Sequence, residues 1–388
     1  MNTEAERPAI SLFKQYPELG KKLPYVSLCD LPTPVHKLEH AGEELGLRYL
    51  YIKRDDRSGM LYGGNKPRKL EFLLGDALRA HAKKVLTFGG AGSNHALATA
   101  LYAQKLGMKS ISMLTGQPNA HYVRKNLLMS HYAGAELHLC GAGLESSLTV
   151  PLFRFHTVLQ MVKHSLLNGR FPRMIPAGGS LPLGIVGFVN AAFELRDQIE
   201  NGEMPEPERI YVAAGTMGTS AGLLLGLRAA GLNCKVVAVR VVGEEYTNIQ
   251  GMLDLIGKTN SLLHSLDPSF PAYEFTRNDI EIRHGFYGTR YAVFTGESVE
   301  AVEFMKQKED IALEGTYTGK AFSALMDDAK HNQLKNTVML FWNTSSSVDL
   351  SPCISDIDYH KLPRSFHKYF EEDVQPLDRE KKNKPEEE

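Results

Sequence analysis

Features that define specialised classes of protein are scarce in this sequence. Its 388 residues include only four cysteines and one tryptophan, and 44 Lys plus Arg against 45 Asp plus Glu leave a net charge of -1. Cys29, Cys140, Cys234 and Cys353 form no CxxC pair, so neither a disulfide framework nor a zinc site is expected, and the four should be reduced and buried. Without a basic excess, nucleic acid is not an expected partner.

Long apolar runs are absent as well. No stretch of about 18 apolar residues could span a bilayer, and the beginning, MNTEAERP, lacks the apolar segment of a secretory signal. We therefore expect no membrane partner and a cytoplasmic location. Hydrophobic residues make up 43% of the chain, which is typical of a globular protein, and a prior of about 150 residues per domain predicts two lobes.

A pattern of strand, glycine turn and helix recurs along the chain. Leu50 and Ile52 alternate with other residues as in a short strand that ends near Lys53. After Gly63 and a second glycine, apolar residues recur at helical spacing, which predicts a helix beginning near Lys66. VLTF before GGAGSN and RIYVAA before GTMGTSAG repeat the pattern, and TVMLFW ends in the polar turn NTSSS. The alternation predicts an α/β fold with mostly parallel sheets covered by helices.

The glycine turns do not match the common nucleotide-binding motifs. The segment at 141–146 lacks the third glycine of the dinucleotide fingerprint, and Pro67 replaces the hydroxyl residue of a P-loop. What remains are turns at helix starts, where unpaired backbone N–H groups favour an anion.

Two of these turns differ in the anion that they suit. Gly215, Thr216, Gly218 and Thr219 suit a phosphate, because glycines let the backbone approach the anion and threonines add donors. The turn that contains Ser93 and Asn94 suits a smaller anion such as a carboxylate. Ordinary helix capping explains the same residues, so both interpretations stay open.

Lys66, taken together with the two turns, suggests one specific kind of enzyme. A lysine is usually a solvated surface charge, but this one lies between a diglycine turn and an apolar-faced helix. A pyridoxal phosphate enzyme needs an amine for the cofactor's aldehyde, a site for its phosphate and a site for the substrate's carboxylate. The predicted cofactor is therefore pyridoxal 5'-phosphate, and the predicted partner is a small amino acid.

Six motifs carry a resemblance to a known family. They are KRDD at 53–56, GGNKPRKLE at 63–71, SNH at 93–95, PAGGS at 176–180, AGTMGTSAG at 214–222 and YTGKA at 317–321. This set resembles the fold type II pyridoxal phosphate enzymes that include 1-aminocyclopropane-1-carboxylate deaminase and D-cysteine desulfhydrase. The resemblance extends from about Tyr25 to about Pro352.

The resemblance implies specific roles for residues of these motifs. Lys66 would form the Schiff base, Ser93 would contact the substrate carboxylate, and Asn94 the phenolic oxygen of the cofactor. Tyr317 and Tyr291 would be active-site tyrosines. Thr318 would contact the pyridine nitrogen. The residues implied to bind the phosphate are Gly215, Thr216, Met217, Gly218 and Thr219.

The resemblance also implies a domain organisation. Residues 1–67 and 178–375 would form a large cofactor-binding domain, and residues 68–177 a small domain, with the cofactor in the cleft between them. A homodimer is implied as well. The segment 376–388 is so densely charged that we expect it to be a disordered tail.

The sequence departs from its relatives at several positions of the expected site. Gly92 stands where relatives usually carry glutamine, and Ser345 and Ser346 stand where they usually carry a glycine pair. Residues 284–288 resemble a small insertion before Tyr291. The pocket near the substrate carboxylate and the ring edge is therefore expected to be reshaped.

The expected activity is a lyase reaction that eliminates across Cα and Cβ of a small amino acid. The resemblance aligns Thr318 and Thr344 with the desulfhydrase branch, whereas aminocyclopropane deaminases carry glutamate and leucine there. A hydroxyl partner of the ring nitrogen makes a weaker electron sink, which favours expulsion of sulfide from D-cysteine. The alternatives are 1-aminocyclopropane-1-carboxylate deaminase, a cysteate sulfo-lyase and a catalytically silent member.

Overall fold

The computed structural model describes residues 10–141, 151–331 and 334–379. Its strands are β1 (Val35–Lys37), β2 (Tyr49–Lys53), β3 (Lys84–Gly90), β4 (Lys109–Thr115), β5 (Glu136–Leu139), β6 (Arg173–Ile175), β7 (Arg209–Ala214), β8 (Lys235–Arg240), β9 (Glu281–Arg283) and β10 (Val338–Trp342). They form a six-stranded sheet in the order β1-β2-β10-β7-β8-β9 and a four-stranded sheet in the order β5-β4-β3-β6.

Helices connect these strands. They are α1 (Ser11–Gln15), α2 (Pro17–Lys22), α3 (Glu39–Glu44), α4 (Asn65–Arg79), α5 (Asn94–Lys105), α6 (His121–Tyr132), α7 (Pro151–Asn168), α8 (Pro182–Glu200), α9 (Gly218–Ala229), α10 (Ile249–Leu266), α11 (Gly296–Glu309), α12 (Thr318–His331) and α13 (Lys368–Glu371). None of the helices in the described ranges is long and apolar enough to cross a membrane.

The four-stranded sheet has apolar layers on both faces. Its strands all run parallel. Leu86 and Met113 pack with Phe153 of α7 on one face, whereas Val85 belongs to the layer that includes α5 on the other. Because α5 follows β3 after a short turn, Ser93 lies at the carboxyl edge of this sheet.

The six-stranded sheet is parallel except at one edge, where β1 runs antiparallel to β2. The central strands β7 and β10 read RIYVAA and VMLFW, and such near-continuous apolar runs are typical of strands buried on both faces. Residues of α8 and α9 pack on one face, and residues of α12 pack on the other. The turns after β7 and β10 therefore meet at one edge of the sheet.

The predicted α/β fold with mostly parallel, helix-covered sheets is confirmed. The four-stranded sheet consists of strands from residues 84–175, and the six-stranded sheet of strands from residues 35–53 and 209–342. The domain boundaries at 67 and 178 stay predictions.

Two terminal features differ from expectation. All four cysteines are free, but Cys140 alone of the four is buried as expected: Cys29 and Cys234 are half-buried and Cys353 is exposed. The segment expected to be disordered from residue 376 begins with a short 3-10 turn, Pro376–Asp378, whose Asp378 Oδ2 accepts a hydrogen bond from the backbone N–H of His121 at 2.6 Å. This carboxylate satisfies a free N–H at the start of α6, which orders the segment. Residues 380–388 lie outside the described residues.

A buried charge network ties α4 to the six-stranded sheet. The Arg68 guanidinium donates to Asp55 Oδ1 at 2.7 Å and to Glu194 Oε1 at 2.9 Å. Lys53 donates to the same Glu194 oxygen at 2.6 Å, and Trp342 Nε1 donates to Asp55 Oδ2 at 2.7 Å. Burial disfavours the charged carboxylate, but the two cations hold the pKa of Glu194 at about 2. Glu194 is therefore ionised, and the network combines two basic with two acidic side chains.

We expect Arg68→Ala to lower the free energy of unfolding by about 3–5 kcal/mol, because Lys53 still pairs with Glu194 but the buried carboxylate of Asp55 loses its cation. Urea unfolding followed by circular dichroism measures this loss. Arg173→Ala is the matched control, since Arg173 pairs with Asp76 on a half-exposed surface and should contribute less than about 1 kcal/mol. Equal losses in both variants would contradict the prediction.

Candidate active site

Lys66 lies in the first turn of α4, held by the chain that precedes it. Gly64 has φ +85°, a left-handed conformation that favours glycine. A Cβ added there would lie 2.6 Å from the carbonyl oxygen of Thr344, and the N–H of Asn65 donates to that oxygen at 3.2 Å. The diglycine turn is therefore pressed against the segment that follows β10, which fixes the start of the helix.

The side chain of Lys66 is partly buried and lines the cavity described below. Its Nζ lies 6.0 Å from the ring centroid of Tyr317. Burial lowers the pKa of Lys66 to about 8, although the Glu314 carboxylate opposes this shift. A much larger fraction of this amine is neutral near neutral pH than of an exposed lysine, and a neutral amine is a nucleophile and a base.

The turn between β7 and α9 leaves room for an anion. Met217 takes a left-handed φ of +61° just before α9 begins at Gly218, so the free N–H groups of the helix start lie in this turn. A Cβ added at Gly218 would lie 2.4 Å from Ser180 Oγ and 2.8 Å from Lys69 Nζ. The hydroxyls of Thr216 and Ser180 are 2.7 Å apart, so donors converge on this space.

Lys69 adds a cation to the same turn. Its side chain is buried, and its Nζ donates to the carbonyl oxygen of Gly178 at 3.1 Å. Among the described residues no carboxylate pairs with it. Burial and the charge of Lys66 lower the pKa of Lys69 well below its usual range. Such a cation is costly unless an anion approaches it. Sequence reasoning missed Lys69, although its spacing of three residues from Lys66 put both on one helix face.

The second predicted turn begins α5. The Ser93 Oγ accepts a hydrogen bond from the N–H of Ala96 at 3.2 Å, so this serine caps the helix. Asn94 Oδ1 accepts from Asn126 Nδ2 at 2.8 Å, which leaves the amide nitrogen of Asn94 as the donor available to a ligand. Capping and ligand binding are compatible for these two residues.

The structure accounts for glycine at position 92. A Cβ added there would lie 2.8 Å from carbon atoms of both Tyr122 and Val123. The N–H of Gly92 donates to Gln117 Oε1 at 2.9 Å. A glutamine amide therefore contacts this loop, but it comes from residue 117.

Two tyrosines form a hydroxyl pair beside Lys66. The Tyr291 and Tyr317 oxygens are 2.7 Å apart. Burial raises the pKa of Tyr291 to about 12 and that of Tyr317 well above its usual range. Both phenols therefore stay protonated near neutral pH and can donate a proton or a hydrogen bond.

Thr318 begins α12 next to the cavity. It is fully buried, and its Oγ1 accepts from the N–H of Glu314 at 2.9 Å. The neighbouring cavity wall contains Glu314 and Thr344. The contact of Thr318 with the cofactor ring stays a prediction.

Glu314 is a site residue that sequence reasoning missed. Its carboxylate accepts from the backbone N–H groups of Thr316, Tyr317 and Thr318 at 2.9, 2.7 and 2.8 Å. Burial raises its pKa. Its position four residues before the helix start was the available signal, since acidic side chains satisfy free N–H groups there.

One cavity brings the predicted residues together. It is also lined by His95, whose pKa burial lowers well below its usual range, so that its ring is neutral. No group of three or more His, Cys, Asp and Glu side chains in the described ranges could hold a metal ion. The predicted residues that line the cavity are Lys66, Ser93, Asn94, Gly215, Thr216, Met217, Gly218, Thr219, Tyr291 and Tyr317.

Comparison with known families supplies the identity of the fold and cofactor. The model of a family described as pyridoxal-phosphate dependent enzyme matches residues 26–345. The chain belongs to this family. The cofactor of this enzyme is therefore pyridoxal phosphate, as predicted.

Relatives of this pyridoxal-phosphate dependent enzyme carry two names. A Pyrococcus horikoshii protein, provisionally named 1-aminocyclopropane-1-carboxylate deaminase, is 34% identical over 82% of this chain and 90% of its own. D-cysteine desulfhydrase of Klebsiella pneumoniae is 32% identical over 85% of this chain and 96% of its own. The two names therefore occur at similar identity.

Solved structures agree with this membership. The crystal structure of an ACC deaminase homologue matches with a TM-score of 0.71 and 33% identity, over 87% of this chain and 95% of that chain. Threonine deaminase isoform 2 of Solanum lycopersicum matches with a TM-score of 0.57 and 16% identity, over 89% of this chain and 87% of that chain. The second likeness concerns the fold alone.

The residues of the cavity fit the cofactor. Its phosphate carries about two negative charges and three acceptor oxygens, and the turn before α9 offers free N–H groups, converging hydroxyls and the unpaired Lys69 cation. The space beside Gly218 is one that a Cβ would fill. Lys66 supplies an amine in the same cavity.

We expect Gly218→Val to raise the dissociation constant for pyridoxal phosphate at least tenfold, because the side chain would fill the anion space and displace the Lys69 amine. Titration of the cofactor-free protein, followed by visible absorbance, measures this constant. Gly257→Val is the control, since nothing lies within 4 Å of a Cβ at this glycine of α10. Wild-type affinity in Gly218→Val would mean that the phosphate is held elsewhere.

Proposed function

We propose that this enzyme is a lyase that eliminates the β substituent of a small amino acid, and that its preferred substrate is D-cysteine. The products would be pyruvate, ammonia and hydrogen sulfide, with one water consumed. The observation that carries the proposal is the cavity itself, in which a partly buried amine of lowered pKa lies beside two protonated phenols and a turn with free N–H groups.

Lys66 has two tasks in this proposal. Its amine would bind the aldehyde carbon of the cofactor and, once displaced by the substrate amine, would accept the Cα proton. The lowered pKa supports both tasks, because each requires the neutral amine. When bound, pyridoxal phosphate supplies an electron sink for the electron pair left at Cα.

The two helix-start turns would hold the anionic groups. The turn of Gly215, Thr216, Met217, Gly218 and Thr219 would bind the phosphate, together with Lys69. The start of α5 would bind the substrate carboxylate through Ser93, and the free amide nitrogen of Asn94 would donate to the phenolic oxygen of the cofactor. These assignments rest on the free N–H groups of each helix start and on the cavity that both turns line.

The tyrosine pair would assist the leaving group. A thiolate that departs from Cβ needs a proton, and Tyr317 or Tyr291 can donate one because both hydroxyls are protonated and hydrogen-bonded to each other. The proton that Lys66 accepts from Cα would then return to the phenolate, which restores both the protonated tyrosine pair and the neutral amine. The neutral ring of His95 adds no charge that would compete for the thiolate.

The substrate choice depends on the residues around the cofactor ring. Thr344 lines the cavity with a hydroxyl. Glu314 also lines it, but three backbone N–H groups at the start of α12 already bind its carboxylate. With that carboxylate committed, a neutral partner for the ring nitrogen is favoured, which gives a weaker electron sink. Expulsion of a thiolate requires less carbanion stabilisation than opening a ring that has no good leaving group.

Ring opening of 1-aminocyclopropane-1-carboxylate is the second candidate. Glu314 favours it, since this carboxylate is in the cavity wall and would strengthen the sink if it turned toward the ring. Relatives with that name match this chain about as well as the desulfhydrases do.

The covalent attachment site is tested by reducing the cofactor-loaded enzyme with borohydride and mapping the pyridoxyl group by mass spectrometry. We expect the label on Lys66. The internal controls are Lys69 and Lys320, which are also buried and have lowered pKa values, and Lys53, which is engaged in the charge network. A label on any of these three lysines would contradict the assignment.

The pKa of Lys66 predicts how pH affects cofactor attachment. The rate at which pyridoxal phosphate attaches to the cofactor-free protein should rise as pH increases through about 8, because only the neutral amine attacks an aldehyde. An unperturbed lysine would instead give a midpoint near about 10.4. Stopped-flow absorbance measures this rate, and a midpoint above about 10 would contradict the role of burial.

The substrate proposal predicts product ratios. Purified enzyme should release sulfide and pyruvate from D-cysteine at least tenfold faster than 2-oxobutyrate from 1-aminocyclopropane-1-carboxylate. L-cysteine and cysteate complete the panel, and the Lys66→Ala variant is the blank. Faster release of 2-oxobutyrate would favour the deaminase, sulfite from cysteate would favour a sulfo-lyase, and no product from any substrate would favour a silent member.

A further inference from the structure

The chain continues past the region that the family model matches, and this continuation packs against the enzyme. Residues 359–379, which are called the C-terminal strap below, lie beyond the end of that match at residue 345. Leu362, Phe366 and Tyr369 of the strap are buried. They belong to one apolar cluster with Phe294 and with residues of α6. The strap is therefore part of the folded core.

One side of the strap is bound to the segment before α6 and to that helix. Asn119 Nδ2 donates to the carbonyl oxygens of Tyr369 and Glu372, both at 2.9 Å. The Arg124 guanidinium donates to the same two oxygens at 2.7 and 2.8 Å. The Tyr369 hydroxyl accepts from the backbone N–H of Gln117 at 3.1 Å. Because α6 connects β4 and β5, these contacts tie the strap to the four-stranded sheet.

The side chain of Gln375 binds a segment on the other side of the strap. Its Oε1 accepts from the N–H of Phe294 at 2.8 Å, and its Nε2 donates to the carbonyl oxygen of Ala292 at 3.1 Å. The backbone N–H of Gln375 donates to the carbonyl oxygen of Asn119 at 2.9 Å. Ala292 belongs to an apolar layer of the six-stranded sheet. One residue of the strap thus connects loops of both sheets.

The backbone that Gln375 holds has an unusual conformation. Ala292 is fully buried and has φ +62°, in the left-handed region that a residue with a Cβ rarely adopts. Such a conformation persists where surrounding contacts hold it, and it is concentrated at functional sites. The two hydrogen bonds of the Gln375 amide flank this bend, one at the carbonyl of Ala292 and the other at the N–H two residues later. Gln375 therefore stabilises the bend.

The bend determines where Tyr291 points. Tyr291 directly precedes Ala292 and lines the cavity, and its hydroxyl oxygen lies 2.7 Å from that of Tyr317. The ring of Tyr291 also reaches the end of β3, because a Cβ added at Gly90 would lie 3.3 Å from its Cε1. A change of backbone direction at Ala292 would turn the ring away from both neighbours.

We propose that Gln375 is a positioning residue, which acts through the bend at Ala292 and holds the Tyr291 hydroxyl beside that of Tyr317. This proposal rests on the proposed function, in which the hydroxyl pair donates a proton to the leaving group. Gln375 is not part of the cavity wall, so it contacts neither the substrate nor the cofactor. Its effect on the reaction passes through the backbone of the segment that it binds.

Kinetics of the full-length, cofactor-loaded enzyme test the proposal. Gln375→Met keeps the length of the side chain but removes its donor and acceptor, and Gln375→Ala removes the side chain as well. Both variants should lower kcat at least tenfold, because displacement of a catalytic group by about 1 Å can cost about a hundredfold in rate. KM should stay within about twofold, since the substrate carboxylate is bound at Ser93 in the proposed function. Wild-type kcat in Gln375→Met would overturn the proposal.

Hydrogen exchange of the same cofactor-loaded proteins supplies a measurement that needs no substrate. The amide hydrogens of residues 291–296 should exchange at least tenfold faster in both variants, because the N–H of Phe294 loses its acceptor. Residues 68–79 of α4 should exchange as in the wild type, which separates a local change from general unfolding. Unchanged protection of residues 291–296 would also overturn the proposal.

Arg379→Ala is the matched control. Arg379 belongs to the strap and pairs with Asp373 at 3.1 Å, and both side chains are exposed, so kcat and hydrogen exchange should keep their wild-type values. An equal loss of kcat in this control would overturn the specific role of Gln375.

Failure of the proposed function gives a different result. Turnover is measured with whichever substrate of the panel the wild type accepts, so release of 2-oxobutyrate without sulfide would contradict the substrate proposal but not the role of Gln375. If the wild type releases no product, hydrogen exchange of residues 291–296 decides the proposal.

Discussion

The pairing of Arg68 with Asp55 and Glu194 is the interaction on which the site depends. These three charges are buried, so each is tolerated only while the others remain in contact. The contacts join α4 to the segment after β2, to α8 and, through Trp342, to β10. Lys66 lies two residues before Arg68 on the same helix, so the network that anchors the helix also fixes the direction of the lysine.

The cavity beside this network is electrostatically incomplete. Lys66 is partly buried and Lys69 is buried; both amines have lowered pKa values, and neither forms an ion pair in the described part of the chain. The Glu314 carboxylate lines the same cavity but is bound by backbone N–H groups. In the proposed function the cofactor would resolve this imbalance, since its phosphate would bring negative charge to the helix start at Gly218. The positive charge of the cavity residues would thus be balanced by the negative charge of the ligand.

Much of the site could be predicted because its motifs are local. A glycine turn before an apolar-faced helix fixes the position of Lys66, and the turns at Ser93 and Gly218 follow strands in the same way. The direction of Thr318 and the entry of Glu314 into the cavity wall could not be predicted, because they depend on which backbone N–H groups the start of α12 leaves free. The roles assigned to the site residues stay predictions.

The sequence alone determined the alternation of strands and helices, the family and the turns that line the cavity, because periodicity and turn chemistry are local properties. Only the tertiary structure decided which charges meet. Among the described residues no carboxylate pairs with Lys69, whereas Arg68 pairs with two carboxylates, those of Asp55 and Glu194. The spacing of Phe155, Leu159 and Leu166 predicts a helix with one apolar side. The spacing does not determine whether that side faces the core or the solvent. The rotation of α7 was decided by contacts of its polar side with residues distant in sequence, and these turn the apolar side outward.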